Sequence, residues 1–244
     1  MKRIIRSIMC IIAAFTFFST ASADVKEITF RDIPWESSIQ DCLTILKKEF
    51  GENIEYESTY YEGSFTIQYR FNIPNLKVAG FPVKGTMEIP NYNLALVFIP
   101  NIDENNQSFS TSEGRLIKAR YSYIYSNDMS FESVSTELEK KLNGLYGPCQ
   151  DGGSDKWRKT WEVNDNTVKG WTEMTEGPTT SMGAISITPH IPGGVGLEYS
   201  YLPSSIRNDF SILREITNQQ SIEKEQEEQR KKEQEEQKRG TDGL

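Results

Sequence analysis

Apolar residues recur along this chain with two different periods, and the switches between them lay out the fold. In ITFRDIPWESSIQDCLTILKKEF, residues 28–50, a short apolar stretch gives way to a helical stripe. Residues 28–33 read as a strand, which Pro34 ends by holding Ile33 extended. Ile39, Cys42, Leu43, Leu46 and Phe50 then recur at helical spacing, and Gly51 stops the helix. Ser37 with Gln40, or Ser38 with Asp41, has the spacing of a capping box. Trp35 stands just before the cap, where a large ring packs back on the first turns. Pro34, Trp35 and Ser38 are therefore read as a structural joint and not as a ligand site.

Period-two alternation takes over in Phe65, Ile67, Tyr69, Phe71 and Ile73, a half-buried strand. After a turn at Gly80 and Pro82, residues 84–89 and 91–99 read as further strands. Residues 101–114, NIDENNQSFSTSEG, form a polar surface loop. Residues 115–125 are a strand with Ile117, Ala119, Tyr121, Tyr123 and Tyr125 on one face. A second helix starts near Asp128 or Ser130, carries the stripe Phe131, Val134, Leu138, Leu142 and Leu145, and ends in LYGPC. Hairpin strands follow around a turn at 164–166, then strands at 184–188 and 196–201. Helices set apart from runs of strands imply an α+β fold, two helices packed on antiparallel sheet. Both helices end in an aromatic residue followed by glycine, which suggests two weakly related helix-plus-strands units, 24–126 and 127–203.

Residues 204–244 change character. KEQEEQ occurs twice, and Glu227 with Lys231, Glu228 with Lys232 and Glu235 with Arg239 are favourable helical pairs. No apolar stripe accompanies them, so this segment is read as a charged helical or disordered tail, with 215–244 dispensable for folding.

The first residues, MKRIIRSIMCIIAAFTFFSTASA, combine Lys2, Arg3 and Arg6 with a short apolar run and Ala21-Ser22-Ala23. That is the layout of a secretory signal peptide, residues 1–23, and not of a membrane span. The expectation is an exported protein, periplasmic or secreted, and peripheral to the membrane at most. Cleavage removes three basic residues from a chain whose formal charge is already −8, so nucleic acid is an unsuitable partner. It leaves Cys42 and Cys149, a candidate disulfide in an oxidising compartment. Cys42, on the apolar helix face, serves equally well as a small hydrophobe.

FRDIPWESS and LYGPC carry a resemblance. They are similar to the motifs of a loose group of exported bacterial proteins that begin roughly F-R-x-I-P-W-G-x-S and later carry a helix ending in Leu-Tyr-Gly-x-P, then a Trp-bearing strand. Here these are Phe30, Arg31, Ile33, Pro34, Trp35 and Ser38, then Leu145, Tyr146, Gly147, Pro148 and Trp157. The resemblance spans about residues 28–201 and implies helices packed on antiparallel sheet, with no catalytic residues to transfer. Glu36 stands where the group has glycine, which implies a less tight turn, and Pro148 follows Gly147 directly. A more distant likeness is to the small helix-plus-sheet modules of envelope-assembly lipoproteins and lactamase-inhibitor proteins, which bind other proteins.

Candidate chemistry is sparse. His190 is the single histidine and makes neither a zinc site nor a triad by itself. The GGVG at 193–196 precedes no helix and lacks the lysine of a phosphate loop. Asp103 with Glu104, or Asp151 with Asp155, lacks EF-hand spacing. No metal and no cofactor is expected. The candidate binding residues are aromatic: Trp157 and Trp161 on one strand face, Trp171 on the partner strand, and Tyr60 and Tyr61 at a turn. These rings serve equally as core. The function these features favour is a non-enzymatic envelope or secreted binding module whose partner is an envelope protein or a glycan. The alternative is a carboxylate-dependent hydrolase of cell-wall or glycan substrates.

The export reading has a direct check. Mass spectrometry of the exported protein is expected to find Asp24 at its N-terminus; an intact Met1 would refute the signal peptide.

Overall fold

The computed structural model describes residues 30–86, 90–125, 131–152, 155–164, 181–190 and 194–241. The expected signal peptide, residues 1–23, lies outside them, as do the expected helix start at 128–130 and Trp171. The elements are α1 (Ile39–Phe50), β1 (Glu55–Tyr61), β2 (Thr66–Asn72), β3 (Lys77–Val78), β4 (Phe81–Lys84), β5 (Leu94–Asp103) and β6 (Ser108–Tyr125). A second half follows: α2 (Phe131–Tyr146), β7 (Gln150–Gly152), β8 (Asp155–Asn164), β9 (Ser181–His190), β10 (Gly194–Tyr201) and α3 (Ser204–Thr241).

The protein is α+β. One sheet runs β1-β2-β5-β6-β10-β9-β8-β7, with β4 beside the end of β6, and all these pairings are antiparallel. Each half is a helix followed by a meander. The last strand of one meander, β6, pairs with the last strand of the other, β10, so the second half continues the sheet in reverse order.

The helices bury the faces their periodicity predicts. Ile39, Cys42, Leu43 and Leu46 of α1 are buried, as are Val134, Leu138 and Leu142 of α2. Ser38 is the cap of α1: its hydroxyl accepts from the Asp41 amide at 3.2 Å and donates to the Asp41 carboxylate at 2.7 Å. Gly51 ends α1 at φ 98°, and its amide donates to Lys47 O at 2.8 Å. Leu145 departs from its stripe and is 48% exposed; Tyr146 packs against the core instead. The core lies between α1, α2 and one face of the sheet, and runs across both halves from Leu46 to Trp161 and Val195.

Strand readings needed three corrections. Residues 30–33 form a tight turn closed by the Ile33 amide on Phe30 O at 2.9 Å, not a strand. Residues 55–61, with no apolar alternation, form the edge strand β1. Residues 101–114 are not one loop: β5 runs to Asp103 and β6 begins at Ser108, with Ile102 opposite Phe109. The Asp103 carboxylate closes the short turn between them by accepting from the Asn105 amide at 3.1 Å and the Asn106 amide at 3.3 Å. Residues 165–166 of the expected hairpin turn lie outside the described residues, and β8 pairs with β7 and β9.

Two bulges correct the face assignment in β6. Val97 pairs with Lys118 and Phe98 with Leu116, which leaves Ile117 as an extra residue turned off the core face. Ser122 and Tyr123 together oppose Gly196, which sends Ile124 into the core and Tyr123 and Tyr125 to the far side.

The C-terminal segment is also corrected. Residues 204–216 are not tail. Ile206, Leu213 and Ile216 of α3 are buried, and the first two form a second cluster with Ile99 and Ile117 on the face of the sheet opposite α1 and α2. Beyond Ile216, Thr217 is partly covered and residues 218–236 of α3 are exposed. No helix among the described residues is long and apolar enough to cross a membrane.

The boundary of the dispensable part therefore moves past Ile216. A chain ending at Gln220 is expected to melt within ~2 °C of the full protein, because only exposed helix is removed. Leu213→Ala is expected to cost ~2–5 kcal/mol in urea unfolding, as for a leucine removed from a core. A loss within ~0.5 kcal/mol, the surface range, would show that α3 does not pack.

Candidate functional site

Among the described side chains, Trp161, Tyr60 and Tyr61 do not form one site. Trp161 is only 2% exposed. Its indole N–H donates to Asn143 Oδ1 at 2.9 Å and Gly147 O at 3.1 Å. Asn143 Oδ1 also accepts from the Cys149 amide at 3.0 Å. The LYGPC turn thus closes over Trp161, which is core and not a ligand contact. Trp157 occupies the same strand, β8. Tyr60 packs against the core, and its buried hydroxyl has no hydrogen-bond partner. The Tyr61 hydroxyl accepts from Arg70 Nη2, with the guanidinium 5.8 Å from the ring centroid. Cys42 and Cys149 are not bridged. Burial, then Asp41, pushes the Cys42 thiol up to about 12, and the Cys149 thiol donates to Glu139 at 3.5 Å.

The joint is more strained and more widely connected than its sequence suggests. Arg31 (φ 49°) and Asp32 (φ 56°) are both left-handed, the pattern of a type I′ turn made without glycine. Arg31 holds its place through its side chain: it donates to the Tyr121 hydroxyl, to Glu49 and to Lys77 O, and lies 4.9 Å from the Phe50 ring centroid. Tyr121 and Tyr199 meet Phe30 here, and burial raises the pKa of both phenols, that of Tyr121 to about 12. Glu36 stands at φ 63°, and the Ser37 amide donates to Pro34 O at 3.3 Å. The turn expected to be less tight is therefore made, with Glu36 in the conformation a glycine takes more easily. Backbone bonds from Glu36 to Leu116 O (2.9 Å) and from Leu116 to Ser37 O (3.0 Å) pin this turn to β6. Glu36 also accepts from Arg115 at 2.7 Å, and Arg115 reaches Asp209 of α3. Trp35 is half-buried against the core and stacks on Tyr201 of β10, with centroids 5.5 Å apart and planes 4° apart. Its stacking partner belongs to the other half of the sheet and not to α1.

The remaining candidate is the sheet face opposite α1 and α2, beyond the part that α3 covers. Paired residues in antiparallel strands share a face. Glu57, Arg70, Ala95, Arg120 and Glu198 form one row across five strands. Arg70 donates to Glu57 at 3.1 Å, and Tyr92 donates to the same carboxylate, which raises the pKa of the Tyr92 phenol. Lys118 pairs with Glu198 at 3.1 Å. Farther along β6, Tyr123 and Tyr125 stack with centroids 5.8 Å apart, and Lys84 lies 4.2 Å from the Tyr125 centroid. A Cβ at Gly194 would stand 2.4 Å from the Tyr123 ring, so only glycine lets that ring lie across β10. The result is a flat field of tyrosines and cations on central strands.

Sequence reasoning missed this face because the bulge at Ser122 and Tyr123 hides which side the tyrosines take. Among the described residues no group of three or more His, Cys, Asp or Glu could hold a metal ion. Comparison with protein-family models, curated proteins and solved structures finds no match to this chain.

The joint can be tested through its stack. A double-mutant cycle on Trp35→Ala and Tyr201→Ala, read by urea unfolding, is expected to give a coupling of ~0.5–1.5 kcal/mol, the range for aromatic pairs. Additive losses would show that the rings do not support each other.

Proposed function

We propose that this chain is an exported, non-enzymatic binding module of the bacterial envelope or its surroundings, and that the open sheet face receives a protein partner. The observation that carries this reading is the composition of that face: Tyr123 and Tyr125 with Arg70 and Arg120, on strands held by pairing along both edges, and Tyr61 on the edge strand β1. Tyrosine and arginine are the residues enriched where protein partners are anchored. The stacked tyrosines by themselves would also suit a sugar ring. The exposed guanidinium beside them favours a partner that brings charged groups. Two acids of the row are already engaged, Glu57 with Arg70 and Glu198 with Lys118, as are Glu36 with Arg115 and Glu49 with Arg31 at the joint. That gives the carboxylate-dependent hydrolase no supporting observation. Residues 1–23 motivate the exported location.

Site-specific photocrosslinking in intact cells tests the reading. A photoreactive phenylalanine at position 120 is expected to yield a defined protein adduct. The same residue at Leu145, exposed on α2, is expected to yield none. An adduct pattern at 120 no different from that at 145 would overturn the proposal.

A further inference from the structure

We infer that the open face selects an acidic, extended peptide segment of its partner; this rests on the binding reading given above. The argument is one of charge complementarity. Four cations, Lys84, Arg70, Lys118 and Arg120, stand on the uncovered face in or near the Glu57–Glu198 row. Three carboxylates share this face, Glu198 on β10 and both Glu57 and Glu55 on the edge strand β1, so the cations still exceed the acids by one. Arg70 is matched by Glu57. Arg120 faces Glu198 directly in the register, yet that carboxylate is bonded to Lys118 at 3.1 Å. Two cations therefore share one anion. Arg120 is exposed, and no hydrogen bond or ion pair engages it among the described residues. Lys84 is exposed and set over the Tyr125 ring, an arrangement that leaves ammonium N–H groups available.

This local surplus is opposite in sign to the chain as a whole, which carries −8. A surface drawn at random from so acidic a chain would have left carboxylates over, not guanidinium and ammonium.

Geometry sets the shape of the ligand. Lys84 is opposite Tyr123, three residues along β6 from Arg120. At about 3.3 Å per residue this separates the two cations by roughly 10 Å. An extended peptide presents side chains to one side about 7 Å apart, so two acids flanking one position reach both cations. An apolar or aromatic residue two positions before or after this pair, on the same side of the extended chain, then rests on Tyr123. Burial of a carboxylate against an otherwise unpaired guanidinium supplies selectivity over the uncharged isostere.

A random twelve-residue phage-displayed peptide library, selected against the mature full chain, tests this. Enriched peptides are expected to carry two Asp or Glu residues at alternate positions, with an aromatic or apolar residue two positions before or after the pair. Synthetic copies, measured by fluorescence anisotropy, are expected to bind about tenfold or more weakly to Arg120→Glu, and to lose a similar factor when their acids become Asn or Gln. Lys231→Glu, the same type of charge change on the exposed part of α3, is expected to leave affinity within about twofold, which separates the face from the basic residues of the tail. No enrichment, neutral or basic winners, or equal binding to Arg120→Glu would overturn the inference. Neutral peptides lost on Tyr123→Ala would overturn acid selection alone and leave the binding face standing. Winners indifferent to both Arg120→Glu and Tyr123→Ala would count against the face itself.

Discussion

β6 is bonded along both edges, to β5 and the end of β4 on one side and to β10 on the other, and the second pairing is the constraint on which the rest depends. Each half is a helix on a meander, and β10 is the last strand of its own. Joining last strand to last strand lets the core under α1 and α2 run unbroken from Leu46 through Leu197 to Trp161. Separated, each half would present a bare strand edge and a cut apolar layer to water. The joint before α1 reinforces the same strand. Arg31 reaches Tyr121, and Glu36 and Ser37 bond to Leu116, all on β6. Trp35 then crosses the seam to Tyr201. The first helix is thus fixed to both halves through a few residues of one turn.

That turn is held in conformations that side chains other than glycine disfavour. Arg31, Asp32 and Glu36 all have positive φ, each costing on the order of 1–3 kcal/mol. Such strain persists where contacts over-determine the geometry. Arg31 has three acceptors and two rings. Glu36 has its amide on Leu116 and its carboxylate on Arg115. A glycine at 36 would relieve the backbone and lose the carboxylate. Since Arg115 also holds Asp209, that loss would reach α3 on the other face of the sheet. Glu36 therefore serves a link that a glycine cannot make.

Much of this was legible in the residues. The stripes of α1 and α2, the Ser38 cap, the Gly51 and Gly147 stops and the alternation of β2 are local signals, and the structure uses them. What was not legible depends on pairing between distant segments. β1 carries glutamates, serine, threonine and tyrosines because it is an edge strand with little to bury, so it shows no alternation. The bulges at Ile117 and at Ser122 with Tyr123 leave no mark in composition, yet they turn Ile117 toward α3 and two tyrosines away from the core. Trp161 read as a candidate ligand contact, with core the preferred alternative because tryptophan is usually buried. Its indole N–H finds Asn143 and Gly147 only after α2 has docked on β8. The Glu57 to Glu198 row joins residues from five strands, and no window of sequence contains it.

The same sheet explains why its far face is polar beyond α3. Antiparallel sheet tolerates water on one side, so the polarity of that side reports what covers it. Under α3 the strands present Val97, Ile99 and Ile117, and these pack with Ile206 and Leu213. One row further, Arg70 and Arg120 flank Ala95, which is only 3% exposed although no helix lies over it. Long side chains beside a small one shield it and keep their charged ends in water. The face is therefore finished by its own residues and needs no further layer for stability. Tyr123, Tyr125, Arg70 and Arg120 are carried on strands with fixed register, not on loops, so their places are set by the pairing of the sheet. That fixed placement, the aromatic contact of the stacked tyrosines and the local surplus of positive charge are what the binding reading proposed above draws on.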